Sequence, residues 1–173
     1  RGLWTPPDED TAAALYETTQ TVLEGAGFDA YEVSNHGRGI AARSAHNLHV
    51  WRGGDYLGLG PGAHGRLTLE GARTATVAHR GITDYVAGVA AGTPWSDHET
   101  LDPRAAAEER VLLGLRTVEG VALAELAVLD RTVETGPLAG LIADGFLTVA
   151  AGRVVATAAG RPVLDGVLRA LLV

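Results

Sequence analysis

The chain has 173 residues, 46% of them apolar and 20% charged, enough to bury a core as one large domain or two small ones. Its net charge of −7 disfavours a nucleic-acid or membrane-surface role, and no apolar run approaches the roughly 20 residues of a membrane span. Without cysteine, the chain has no disulfide, thiolate nucleophile or cysteine-held zinc or cluster. The opening "RGLWTPPDED" is not a signal peptide. The expected setting is therefore the cytoplasm, with peripheral membrane association at most. A start at Arg1 instead of Met reads as a piece of a longer protein.

Residues 7–27 predict a helix. Asp8 or Asp10 can cap it, and Ala13, Leu15, Tyr16, Thr19, Val22, Leu23 and Ala26 give it a face at helical spacing. Gly25 and Gly27 stop it, and residues 31–34 of "FDAYEVSN" suit a short strand. Helix, glycine, strand is one step of a parallel sheet or barrel, which places chemistry just past the strand at Ser34, Asn35 and His36. "RLTLEGARTATV" predicts a hairpin around Glu70-Gly71. "RGITDYVAGVAAGTPW" predicts a helix with Ile82, Tyr85, Val86 and Val89 on one face, ended by Pro94. "SDHETLDPR" reads as a polar boundary between two domains, 1–100 and 101–173.

The second part has a different rhythm. Asp102-Pro103 caps a helix striped by Ala107, Val111, Leu112 and Leu115. A helix over about 121–129 and a third in "GPLAGLIADG" follow, then a hairpin turning at Ala151-Gly152 and a closing helix in "PVLDGVLRALL". This is the order of a winged-helix-like module. Its third helix, 135–144, contains no Arg, so DNA binding is not expected, because groove reading relies on Arg and Lys. The fold class is α/β followed by α+β.

The chemistry concentrates in "SAHNLHVWRGGDYLGLGPGAHGRL", residues 44–67, which holds three of the six histidines, Trp51, Tyr56 and a dense set of glycines. "GPGAHG" fits the G-x-G-x-x-G pattern of dinucleotide sites, but a proline and a hairpin follow where a helix N-terminus is needed. In "YLGLGPG", an extended backbone would send Leu57 and Leu59 into the core and leave Gly58, Gly60 and Gly62 as a bare face. Such a face admits a flat ligand or another backbone. His46 and His49, at i and i+3, could form a metal pair with His36, Asp55 or His64 nearby, though structural histidines are commoner. A single imidazole with aromatic neighbours could instead ligate haem.

The series "YEVSN", then "HNLHVWRGGDYLGLGPGAHGR", resembles the oxygen-independent coproporphyrinogen III oxidase-like family of radical SAM proteins, most closely its HemW type, regarded as haem chaperones. The likeness runs over essentially the whole chain and is sharpest over 28–66. It implies that 1–100 closes a partial (β/α) radical SAM barrel and that 101–173 is the family's C-terminal domain. It also implies an upstream C-x-x-x-C-x-x-C motif, holding a [4Fe–4S] cluster that binds S-adenosylmethionine. Those ligands are absent here, so the chain alone is not expected to be catalytic.

The family's haem motif is H-N-x-x-Y-W. By this resemblance His46 positions or ligates haem iron, Asn47 fixes the turn and Trp51 packs on the porphyrin, while Val50 stands where the family has Tyr. The backbone of Gly60, Gly62 and Ala63, with the His64 side chain, would face S-adenosylmethionine. Haem or a porphyrinogen, and a haem-receiving protein, are the implied partners. Arg38, Arg43, Arg52 or Arg66 could bind propionates, although exposed arginine needs no such role. The resemblance leaves two further readings: a true coproporphyrinogen III oxidase, which shares the barrel, and a non-enzymatic interaction module.

Overall fold

The computed structural model describes residues 5–173. Helix α1, Glu9–Gly25, starts where Asp8 Oδ1 accepts the Thr11 N–H at 2.8 Å. No residue of α1 is buried, and Leu15 and Val22 of the expected core face lie open to solvent. The helical period was right, but of that face only Tyr16 and Leu23 are even half-buried within the described residues.

The strand expected over 31–34 is instead the turn of a small antiparallel pair, β1 (Asp29–Ala30) with β2 (His36–Gly37). The buried Glu32 carboxylate explains the difference. It accepts the Ser34 N–H at 3.4 Å and the Asn35 side-chain amide, folding the backbone back on itself. Every strand pairing among the described residues is antiparallel, so the expected parallel step is not seen there. The molecule has a mixed α/β architecture with small antiparallel sheets.

Helix α2, Ala45–Trp51, leads through a glycine-rich loop to the hairpin of β3 (His64–Leu69) and β4 (Ala72–Ala78). As expected, the hairpin turns at Glu70 and Gly71, whose φ values of 52° and 82° give the twist that joins antiparallel strands. Helix α3 is Ile82–Ala91, and left-handed Gly92 ends it two residues before Pro94. Only Tyr85 of its expected apolar face is even half-buried. The segment read as a polar boundary contains a strand, β5 (Trp95–Thr100), paired with β4. "WSDHET" carries no alternation that would mark it, because its side chains are exposed on both faces.

Helix α4 is Pro103–Gly114, capped by Asp102 Oδ1 accepting the Ala105 N–H at 2.8 Å. β6 (Val121–Ala122), α5 (Leu123–Val128), α6 (Gly136–Ala143), the β7 (Leu147–Ala150) and β8 (Arg153–Ala156) hairpin and α7 (Leu164–Leu172) complete the chain. β6 adds to the hairpin in the order β6-β8-β7.

The core is built almost entirely from this second part. Val111, Leu115, Leu126, Leu138, Leu147, Val154 and Leu171 pack as one cluster with Val33 at its edge. Leu112, read as part of the α4 stripe, faces outward. Among the described residues, 5–100 bury only Tyr31, Leu48 and Ala78 of their apolar side chains. No helix among the described residues is long and apolar enough to cross a membrane.

Candidate functional site

Ser44 begins α2 by accepting the Asn47 N–H at 3.2 Å, and its own N–H donates to the Tyr31 hydroxyl at 3.1 Å. The hydrogen bonds fixing this turn therefore come from Ser44 and not from the Asn47 side chain. Leu48 anchors the helix inward, leaving His46 exposed with no side-chain hydrogen bond among the described residues. His49 is different. Its Nε2 meets the Asp55 carbonyl oxygen at 2.7 Å, so the ring is tied to the loop that follows. No group of three potential metal ligands exists among the described residues, and His46 and His49 do not form the core of a zinc site.

Trp51 closes α2 on its inward side. Its indole N–H is buried without an acceptor, and the Arg116 guanidinium lies 5.8 Å from the ring. Arg52, next in sequence, forms a fork with Glu119, at 2.9 Å from Nε and 2.5 Å from the terminal nitrogen. That bond holds the Glu119 carboxyl below its usual range and raises Arg52.

The loop after α2 is tied to the sheet by charge. Asp55 accepts the Thr68 N–H at 2.8 Å, the Thr68 hydroxyl at 2.9 Å and Arg73 at 2.8 Å. Arg73 also reaches Glu109 of α4 at 3.3 Å, and Arg66 Nε donates to Glu109 at 2.6 Å. This chain of four charged residues, Asp55, Arg73, Glu109 and Arg66, joins loop, hairpin and α4, and no spacing in the sequence marks it. The Thr68 bonds hold the Asp55 carboxyl below its ordinary value, with Arg73 adding to the effect. A depressed carboxylate contributes stability above its unfolded pKa, and that contribution is lost as pH falls through the folded pKa. Asp55→Asn is therefore expected to be less stable than the parent above about pH 5, with the gap closing in more acid solution. Denaturation midpoints across that range check it, and a gap independent of pH would refute it.

The glycines divide into two kinds. A Cβ on Gly58 would stand 2.5 Å from the His64 carbonyl oxygen, so Gly58 packs against the molecule's own β3 backbone. Of the segment expected to be extended, Tyr56 bridges to Arg66, and Leu57 and Leu59 are exposed instead of reaching the core. Gly60 and Gly62 have φ of 110° and 71°, so the alternation fails there, and the Gly60 α-carbon faces open space. The amides of this turn are already satisfied. Gly60 N–H donates to the Tyr85 hydroxyl at 3.0 Å, Gly62 N–H to the His79 carbonyl at 2.9 Å and Ala63 N–H to the Gly60 carbonyl at 3.2 Å. His64 opens β3 with an exposed side chain. No hydrogen bond or ion pair among the described residues joins His46, Asn47 or Trp51 to the 60–64 turn.

The four arginines read as propionate candidates all have partners. Arg38 donates to the Ala26 carbonyl at 2.9 Å and covers Phe28, and Arg43 lies over Tyr31. Arg52 and Arg66 hold Glu119 and Glu109.

Comparison with known proteins is consistent with this region's motifs. Residues 101–163 match the family described as HemN C-terminal domain. "Heme chaperone HemW" of Mycobacterium tuberculosis is 38% identical over 173 residues, covering 99% of this chain and 42% of that protein. The mitochondrial "Radical S-adenosyl methionine domain-containing protein 1" of Mus musculus is 38% identical over 136 residues, covering 79% of this chain and 27% of that protein. Among solved structures, coproporphyrinogen III oxidase (HemN) from Escherichia coli, a radical SAM enzyme, superposes with a TM-score of 0.66 at 15% identity, over 95% of this chain and 42% of that one. The chain thus spans less than half the length of the relatives that cover it most fully. It belongs to the HemN/HemW family of radical SAM-related proteins, over a region that includes the HemN C-terminal domain.

Proposed function

We propose that this chain is the haem-handling portion of a HemW-like protein, with His46 as the residue offered to haem iron. The observation that carries the reading is the inequality of the two histidines on α2: His49 is tied to the Asp55 carbonyl, whereas the His46 ring is exposed and unbonded. One free imidazole suits axial ligation of haem and does not suit a zinc site, which needs several ligands. The relatives named as heme chaperones support the same reading. Trp51 stacks beneath Arg116, so its part is to hold the end of α2 and not to meet the porphyrin face directly. Val50 in the family's Tyr position leaves His46 without an aromatic hydroxyl beside it.

The division into a closing segment of the barrel, 1–100, and a winged-helix-like domain, 101–173, belongs to the same proposal, as does a cytoplasmic setting with a haem-receiving protein as partner. A [4Fe–4S] cluster does not fit the residues present, since none is cysteine. S-adenosylmethionine would meet the 60–64 turn only through van der Waals contact at Gly60 and the exposed His64 ring, because the amides are satisfied. The superposition on HemN is a likeness of fold and does not carry its oxidase activity to this chain.

Titration of hemin into the longer protein tests the reading. His46→Ala is expected to abolish the ligated Soret band, while His49→Ala retains it. An unchanged band and affinity in His46→Ala would remove that residue from the site.

A further inference from the structure

Twelve of the chain's guanidinium groups can be sorted by what they touch outside the 1–4 segment and Arg161, and all but two have a partner. Ten form a hydrogen bond, an ion pair or an aromatic contact. Arg80 and Arg169 have none among the described residues, but both are exposed, as arginines ordinarily are. Arg161 is the exception. It is half-buried, has no side-chain partner among the described residues, and stands where three clefts meet.

The first cleft, of about 550 Å³, is lined by Val33, Arg116, Arg161, Pro162, Val163 and Leu164, with Asp165 at its edge. The second, of about 420 Å³, continues past Val33 and Pro162 along Ala12, Ala13 and Tyr16 of α1. The third, of about 660 Å³, is walled by Glu17, Gln20 and Glu24 and is hostile to an anion. Glu9 and Glu17 also border the second cleft, yet neither forms an ion pair with Arg161. On the other side, Arg116 donates to the Leu112 carbonyl at 2.5 Å and lies over Trp51, but its one carboxylate contact is long, 3.7 Å to Asp165, whose side chain is 90% exposed. A bound carboxylate could replace so loose a partner. Two guanidinium groups beside apolar walls match an amphipathic ligand with a carboxylate at one end and a flat or aliphatic body at the other.

We propose that this cleft, between Val33 and the 161–166 segment, receives a propionate of the porphyrin, with Arg161 and Arg116 holding the carboxylate and Val33, Pro162 and Tyr16 covering the ring edge. The inference rests on the haem reading for the identity of the ligand, but it uses no residue of α2, and its test residue, Arg161, touches none of them among the described residues.

Metal-free protoporphyrin IX separates the two, because it has no iron for His46 to ligate. In titrations of the longer protein followed by porphyrin absorption, Arg161→Gln is expected to weaken protoporphyrin IX by about tenfold. The same change should leave the dimethyl ester's affinity unaltered, since the ester has no carboxylate to lose. Circular dichroism and Tm should match the parent, because the guanidinium makes no internal bond. His46→Ala should leave metal-free protoporphyrin binding unchanged. If Arg161→Gln binds the free acid as tightly as the parent while His46→Ala loses haem, the cleft proposal is overturned and the haem reading stands. If Arg161→Gln weakens the acid while His46→Ala has no effect on haem, the cleft stands and His46 falls. If the parent takes up neither porphyrin, both are refuted.

Discussion

Leu138→Ala is expected to destabilise the protein by about 3 kcal/mol, within the usual range for a buried leucine cut back to alanine. Leu138 is fully buried in the first turn of α6 and packs in the cluster that unites α4, α5, the β7–β8 hairpin and α7. The loss combines transfer of the missing methyls with a cavity that helix and sheet cannot close, because the surrounding Val111, Leu126 and Leu171 are themselves fully buried and fixed by their own contacts. At this chain length the change corresponds to a fall in Tm of roughly 10 °C. Leu15→Ala is the matching control: the same atoms are removed from α1, where Leu15 is 56% exposed, and the effect should stay within about 0.5 kcal/mol. Urea unfolding of both variants measures the contrast. Equal losses would mean that the second part does not hold the core.

The second large effect concerns the glycine-rich loop. Gly58→Ala should cost about 3 kcal/mol, at the upper end for overpacking. The new methyl would lie 2.5 Å from the His64 carbonyl oxygen, and backbone cannot swing aside as a side chain can. The consequence should reach Tyr56, whose N–H donates to the Arg66 carbonyl at 2.7 Å, and Asp55, whose carboxylate holds Thr68 and Arg73. Faster hydrogen exchange at Tyr56 and Arg66, with a lower unfolding midpoint, is the expected result. Gly140→Ala is the opposite case. Gly140 sits inside α6 with nothing within 4 Å of the added carbon, so the substitution should stabilise by about 0.5–1 kcal/mol. A Gly58→Ala protein as stable as its parent would show that the loop does not lean on β3.

What could be read without coordinates were the features whose physics is local. Asp8 and Asp102 cap helices, Glu70-Gly71 and Ala151-Gly152 turn hairpins, and the spacing of Ala107, Val111 and Leu115 points one helix face inward. Each depends on residues within a few positions of one another. The site was legible only as a list of residues and a resemblance. "HNLHVW" marks α2, but nothing in it shows that His49 would bond Asp55 and leave His46 free. The same holds for the arginines: Arg38, Arg43, Arg52 and Arg66 were the natural candidates by proximity, and the fold engages all four.

The amino-acid sequence by itself determined the family, the caps, the two tight hairpins and the apolar stripes of the second part, because all of these are written in residue type and spacing. Tertiary structure decided the rest. It made a turn of "YEVSN" by burying Glu32, recruited "WSDHET" as a third strand through β4, set Gly58 on its own backbone, and left Arg161 alone at a junction of clefts. These outcomes depend on partners far apart in the chain, and no local pattern of side chains records which distant backbone or charge will arrive beside them.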